Sequence, residues 1–316
     1  MIVSNNDHRT WLKQTFSVRG SAIPRTWKRV LFYFVFAMLI TYLFKRFHWE
    51  RYHLNALPFT LVGTVLGIYL GLRSNASYDR FWEGRKLWGG MVNITRTLTR
   101  QILTLLQPVK ADSTEEAAEL DAFQKDFVRR IIAYVHSFRF HLRDEDQQEN
   151  LKPYLAKKDL KALEGEENVP IALLQDLGER LAFARKKGWV HDFHVTLIEE
   201  SIGKMTDIQG ACERIKSTPI PASYTIFTHR MVALYCFFLP FGVIKLMGNG
   251  TPLVVFFISY ALLSLDYIGS EIEMPFDYAP NALALTTISR TIEANLRQRI
   301  GDEVPAPITP VHGVLQ

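Results

Sequence analysis

Leu54 to Leu72 is a run of 19 residues without a charge. As a helix it is about 28 Å long, close to the roughly 30 Å hydrocarbon core of a bilayer. Three further runs share its character. Val30 to Phe44 is uncharged for 15 residues and is flanked by Trp27 and Trp49, where aromatic side chains sit at headgroup level. It is short for a span unless its flanks snorkel. Met231 to Ile244 ends at Lys245, and Leu246 to Leu265 is uncharged for 20 residues before Asp266. The turn signal "MGNGTP", Met247 to Pro252, makes these last two a hairpin of spans.

Four spans place both termini and the section between the second and third runs on one side. Arg25, Lys28 and Arg29 precede the first run, and Arg73, Arg80, Arg85 and Lys86 follow the second. Lys45, Arg46 and Arg51 lie in the loop between them, so the charge bias favours a cytoplasmic middle section. No small-residue cleavage site follows the first run, which reads as a retained anchor rather than a signal peptide.

The mean hydropathy of +0.01 averages over this segregation. With 316 residues, the chain is long enough for one or two domains. Its net charge of +5 and pI of about 9.1 fit topology signals and anionic lipid better than nucleic acid, given the apolar runs. Cys212 and Cys236 cannot form a disulfide framework and read as free, buried thiols.

From Arg73 to Thr218, glycine and proline are sparse and apolar residues recur at helical spacing. "FVRRIIAYVHSFRFHL", Phe127 to Leu142, reads as an amphipathic helix, with Ser113 and Glu116 as a capping box upstream. Pro219 and Pro221 mark where the chain turns back towards the membrane. The tail from Gly301, with Pro305, Pro307 and Pro310, reads as extended or disordered.

Within the second run Gly63, Gly67 and Gly71 recur every four residues, on one helical face. Small residues there let a neighbouring helix approach, either inside one subunit or between copies. One position on lies a second stripe of Thr64, Ile68 and Leu72. Facing lipid, it is ordinary; facing an axis shared by several copies, it is a constriction that gates by dewetting.

Other chemistry has little support. No nucleophile elbow, phosphate loop or dinucleotide fingerprint occurs, so no enzyme activity and no cofactor are expected. His191 and His194, with Glu199 and Glu200 nearby, lack metal-site spacing and a third ligand, so no metal is expected. His229 and Arg230 open the third run, where they snorkel or pair with an acid.

"RSNASYDRFWEGRKLWG", Arg73 to Gly89, resembles the signature that follows the second span of bacterial bestrophin-family proteins. Four more blocks resemble that family in the same order: Gly210 to Thr225, Thr228 to Phe241, Ile258 to Phe276, and "TIEANL" from Thr291 to Leu296. The resemblance implies an all-α homopentamer, a passive ion channel whose second spans line a narrow neck above a helical cytosolic vestibule. It places the neck on Thr64, Ile68 and Leu72, with a hydroxyl-bearing Thr where relatives carry an apolar residue. It places a second, cytosolic aperture on Phe193, with Leu197 one turn on as the alternative; an ordinary core aromatic is the competing reading of Phe193.

The acidic cluster that binds calcium in animal relatives is reduced here to Asp277 in "PFDYAPNALAL", too little for a hard cation. Glu271 and Glu273 read as members of structural ion pairs. Past Arg73, the resemblance implies that Tyr78, Phe81, Trp82 and Trp88 pack against cytosolic helices.

The resulting division is 1–72 with the first two spans, 73–225 as the cytosolic helical region, 226–268 with the last two spans, and 269–316 as a cytosolic C-terminal segment. The expected partners are further copies of the chain, membrane lipid and inorganic ions, with no nucleic acid, in a bacterial inner membrane. Chloride is the first reading of the ion and a monovalent cation the second, because Thr, Ile and Leu carry no charge. A membrane-anchored helical scaffold or a membrane enzyme is the alternative of a different class.

Overall fold

The computed structural model describes residues 18, 20–47, 55–109 and 114–310, and every regular element among them is helical. In chain order these are α1 (Ile23–Arg46), α2 (Ala56–Leu105), α3 (Thr114–Leu142), α4 (Gln147–Asn150), α5 (Lys157–Ala162), α6 (Val169–Lys186), α7 (Asp192–Ser217), α8 (Ala222–Met247), α9 (Thr251–Ile272) and α10 (Leu285–Ile300). The expectations placed on Trp49, Arg51 and Ser113 lie outside the described residues. So does Leu54, the first residue of the second apolar run.

Local chemistry accounts for the boundaries. The Asn55 side chain caps α2 by accepting from the Leu57 amide at 3.0 Å, and Asn168 caps α6 through Ile171. Pro24 opens α1, where its missing N–H costs nothing. Gly301 closes α10 in the left-handed region at φ +72°. Between α8 and α9 the chain reverses through a short 3-10 turn, Gly248–Gly250, with Gly248 at φ +49°. Three helical stretches have the length and apolar composition to cross a membrane, namely Ile23–Arg46, Ala56–Leu105 and Ala222–Ile272, and this turn divides the last of them into α8 and α9.

The spine is α2, 50 residues long and about 75 Å from end to end. Its first half packs into an apolar layer with α1, α8 and α9, around Val30, Ala37, Leu66, Leu70, Val232 and Val255. Its second half packs into a polar-surfaced layer with α3, α7 and α10, around Trp88, Met91, Phe127, Tyr134 and Phe138. One rigid element therefore belongs to two cores. Trp88 is fully buried and stacks on Phe138 with ring centroids 5.3 Å apart, and Phe81 lies half-buried on the same core. Tyr78 and Trp82 depart from expectation: they face outward in the single chain, each seven residues beyond an exposed position of α2, Gly71 and Asn75.

The periodicity of Phe127 to Leu142 is also corrected. That stretch is not amphipathic but buried nearly all round, with Arg129 its one exposed residue. It is the central helix of its layer, so its polar residues must find partners indoors. Arg130 meets Asp126, Asp159 and Asp176 at 3.3, 2.9 and 2.8 Å. His136 lies 2.9 Å from Glu293 on α10 and stacks on Tyr154. Both cysteines are free and buried, as expected.

Burial holds the His136 imidazole below its ordinary value of 6.5, although the bond to Glu293 opposes this. Burial pushes the Glu293 carboxyl up, but His136, Arg290 and Arg297 more than offset that and leave it below the carboxylate range. For both groups the folded state binds fewer protons than the unfolded chain, so stability falls as pH drops. We expect the melting temperature of the purified protein to fall between pH 7 and pH 5. In His136→Gln, which has no imidazole to protonate, the slope over this interval should be shallower, as read by melting curves at matched ionic strength.

Candidate pore-lining helix

The first half of α2 has two unlike sides. Leu66 and Leu70 are buried against α1, α8 and α9, whereas Leu61, Val65, Ile68 and Leu72 are each 61–67% exposed. Thr64 lies on the same bare face, its hydroxyl donating to the Thr60 carbonyl at 2.8 Å. The structure thus places Thr64, Ile68 and Leu72 together on a face that nothing among the described residues covers. Four apolar side chains this exposed mark a surface that meets either lipid or another copy.

The three glycines separate. A methyl group at Gly63 would collide with the Tyr235 hydroxyl of α8, and one at Gly242 of α8 would collide with the Phe59 ring of α2. Each helix therefore offers a glycine to the other's aromatic side chain, the close approach that small residues permit. Gly67 and Gly71 meet nothing within 4 Å of where a side chain would begin. Gly63 packs within the subunit; the other two lie on the uncovered side.

Immediately below Leu72, Arg73 turns inward. Its side chain is 3% exposed and lies 2.6 Å from Asp266 on α9, whose side chain is 5% exposed. Ser270 accepts from the same guanidinium at 2.9 Å, Thr225 accepts at 3.3 Å, and Glu273 lies 3.7 Å away. His229 of α8 meets the other Asp266 oxygen at 3.1 Å, while Glu273 also accepts from the Ile220 amide. The pairing expected of His229 and Glu273 is present, whereas Glu271 accepts from Asn281 and joins no ion pair among the described residues. Two turns further, Arg80 donates to the carbonyls of Ile215, Thr218 and Glu273, neutralising the exposed end of α7. Residue-level reading missed the Arg73–Asp266 pair, yet the signal was present: two uncharged runs ending in opposite charges.

Beyond Arg73 the bare face of α2 continues but becomes polar, through Asn75, Asp79, Arg85, Lys86, Asn93 and Arg100. At its far end Gln101 donates to the Leu197 carbonyl at 3.3 Å and accepts from Ser201, fastening α7 alongside. That point is about 50 Å along α2 from Ile68. Here Phe193 is 80% exposed, stacked only on His191, which caps α7 by accepting from the Phe193 amide. Phe193 is not a core aromatic. Leu197, one turn on, is 47% exposed, so both residues stand free at this end of the molecule. The rings of His191 and His194 are 6.2 Å apart, and among the described residues no three His, Cys, Asp or Glu side chains converge on a metal position.

Residues 1–298 match the family model described as Bacterial/Fungal Bestrophin protein. The chain belongs to the bestrophin family. Its relatives include a protein of Ralstonia nicotianae named as voltage-dependent anion channel-forming, 35% identical over 93% of this chain and 94% of that one. A protein of Escherichia coli with the same descriptive name is 33% identical over 98% of both chains. Among solved structures, a bacterial bestrophin homologue from Klebsiella pneumoniae superposes with a TM-score of 0.80 at 30% identity, over 87% of this chain and 98% of that one. The bestrophin fold explains why one long helix crosses two layers, and it makes this chain a membrane protein.

In this bestrophin the Arg73–Asp266 pair is predicted to be required jointly. Arg73→Met alone leaves Asp266 buried with only His229 and should cost about 3–5 kcal/mol, whereas the double variant with Asp266→Leu should recover most of that loss. Melting temperatures and detergent-soluble yields of the two variants check this.

Proposed function

We propose that this bestrophin is a homopentameric channel through which monovalent ions pass passively, chloride being the first choice. The observation that carries the proposal is the bare stripe of Thr64, Ile68 and Leu72 on a helix whose opposite side is firmly packed. Five such helices around an axis would form a narrow uncharged neck, and ring apposition would cover the bare glycines Gly67 and Gly71. A neck of this kind excludes ions by failing to wet. The Thr64 hydroxyl, already bound to its own backbone, makes the outer ring less dry than Ile68 and Leu72.

The same reading takes α1, the first half of α2, α8 and α9 as four spans, with both termini and the polar layer in the cytoplasm of a bacterial cell. The mixed-sign polar face of α2 then lines a vestibule, and Phe193 forms a second aperture at its far end. The chloride assignment rests on the relatives, whose names describe anion channels. The neck itself is neutral, so the sign of the permeant ion is a matter for measurement.

Purified protein in planar bilayers under asymmetric potassium chloride should give a reversal potential of the sign set by chloride. The opposite sign would assign a cation channel of the same fold, and absence of current would favour a scaffold or enzyme. Ile68→Ala and Leu72→Ala should each raise current severalfold by widening and wetting the neck; unchanged currents would remove these residues from it. Native mass spectrometry should give five subunits, and a strict monomer in mild detergent would refute the neck.

A further inference from the structure

Three arginines among the described residues are buried, Arg73, Arg130 and Arg139. Two of them have their counter-charges. Arg73 has Asp266 and Glu273, and Arg130 has three aspartates. Arg139 has none: it is 9% exposed, meets no carboxylate within 4 Å among the described residues, and its Nε is buried without a hydrogen-bond partner. Its guanidinium lies over the Phe140 ring at 4.3 Å, a contact that helps a cation but supplies no acceptor. A buried guanidinium without an acceptor is a costly group to retain.

The carboxylates nearby are already engaged. Glu293 is held by His136, Arg290 and Arg297 at 2.9, 3.2 and 2.9 Å. Glu145 accepts from the Tyr278 hydroxyl at 2.5 Å. The neighbourhood therefore holds the guanidinium groups of Arg139, Arg143, Arg290 and Arg297 against two carboxylates, a surplus of positive charge. Arg143 is fixed in place by the Phe276 carbonyl and Thr286, and its guanidinium covers the Tyr278 ring. Tyr154, stacked on His136 and within electrostatic range of Arg139, is half-buried, and its hydroxyl has no protein partner among the described residues. Burial lowers the proton affinity of Arg139, as expected for a cation lacking its partner.

We propose that Arg139, with Arg143 and the Tyr154 hydroxyl, binds an oxyanion of the phosphate class. A planar guanidinium presents two parallel N–H donors to such a group, and a phenol adds a third. The ligand would join the end of α3 to the Tyr154 segment and to the segment after α9, and would make this layer's rigidity depend on its presence. The site touches Phe276, four residues beyond the end of α9, so the phosphate could belong to a lipid headgroup or be free in solution. The assignment does not depend on ion conduction.

The test uses the full chain in detergent, stripped of lipid and phosphate, with melting temperature as the readout. Inorganic phosphate should raise the melting point by roughly 2–4 °C at saturating concentration, beyond chloride at matched ionic strength. If the source is a headgroup, short-chain phosphatidylglycerol raises it and inorganic phosphate does not. Arg139→Met should melt no lower than wild type without ligand and should lose the response, while Arg185→Gln, at an exposed pair with Asp192, should keep it. No response to either phosphate source in wild type overturns the proposal, as does an unchanged response in Arg139→Met. A folded Arg139→Met that melts lower than wild type without phosphate, or that loses subunit association, also overturns it, because Arg139 would then be paired with a neighbouring copy. Should Arg139→Met not accumulate, calorimetric titration of wild type with both phosphate sources decides, absence of saturable heat being the refuting result.

Discussion

The ion pair between Arg73 and Asp266 fixes the point at which α2 changes surroundings. Apolar contacts between helices tolerate sliding, because one leucine against another is much like the next. A 2.6 Å pair buried on both sides does not, since a shift by one turn would strand two charges out of water. Arg73 follows Leu72 directly, so this pair sets the height of the Thr64, Ile68 and Leu72 stripe against α8 and α9. His229 draws α8 into the same cluster, and Glu273 holds the turn before α8 through Ile220. α2, α8 and α9 thus meet at one polar knot beneath the apolar layer. Such a pair adds little net stability over an apolar substitute; its effect is on register.

Below that knot, α2 needs a second fastening to act as one rigid element across both layers. Arg80 provides it by donating to the last carbonyls of α7, and Gln101 closes the other end through Leu197 and Ser201. α7 is therefore tied to α2 at both of its ends. The stacked rings of Trp88, Phe138 and Tyr134 fill the space between α2 and α3. Phe193 and the stripe therefore sit on a pair of helices braced at two points.

Much of the fold could be read from residues alone, and the exceptions share a cause. The uncharged runs, the turn at Met247 to Pro252 and the return at Pro219 and Pro221 depend on local composition, which the chain carries openly. Burial on all sides does not. Phe127 to Leu142 has the alternation of a surface helix because Arg130, His136 and Arg139 interrupt its apolar residues, yet each of these is indoors, two of them through acids 29 to 157 residues away in the chain. The glycine repeat shows the same limit. Gly63, Gly67 and Gly71 have one spacing but two surroundings, and only the aromatic side chain of Tyr235 distinguishes them. The candidate stripe was legible by position; that its reverse side is the packed one required the structure.

The exposed face of α2 also separates two tasks that a pore must perform. Above Arg73 that face is neutral, so if it lines a neck its barrier comes from dehydration and is indifferent to charge sign at long range. Below Arg73 it carries Asp79, Arg85, Lys86 and Arg100, both signs interspersed, where water is abundant and the field acts on local ion concentration. Barrier height and charge preference then reside on different halves of one helix. On the proposed channel reading, substitutions in the stripe would alter how readily any ion passes, while substitutions on the polar face would alter which ions gather to pass. The buried pair lies between the two groups of residues, at the point where the face of the unbroken helix turns from apolar to polar.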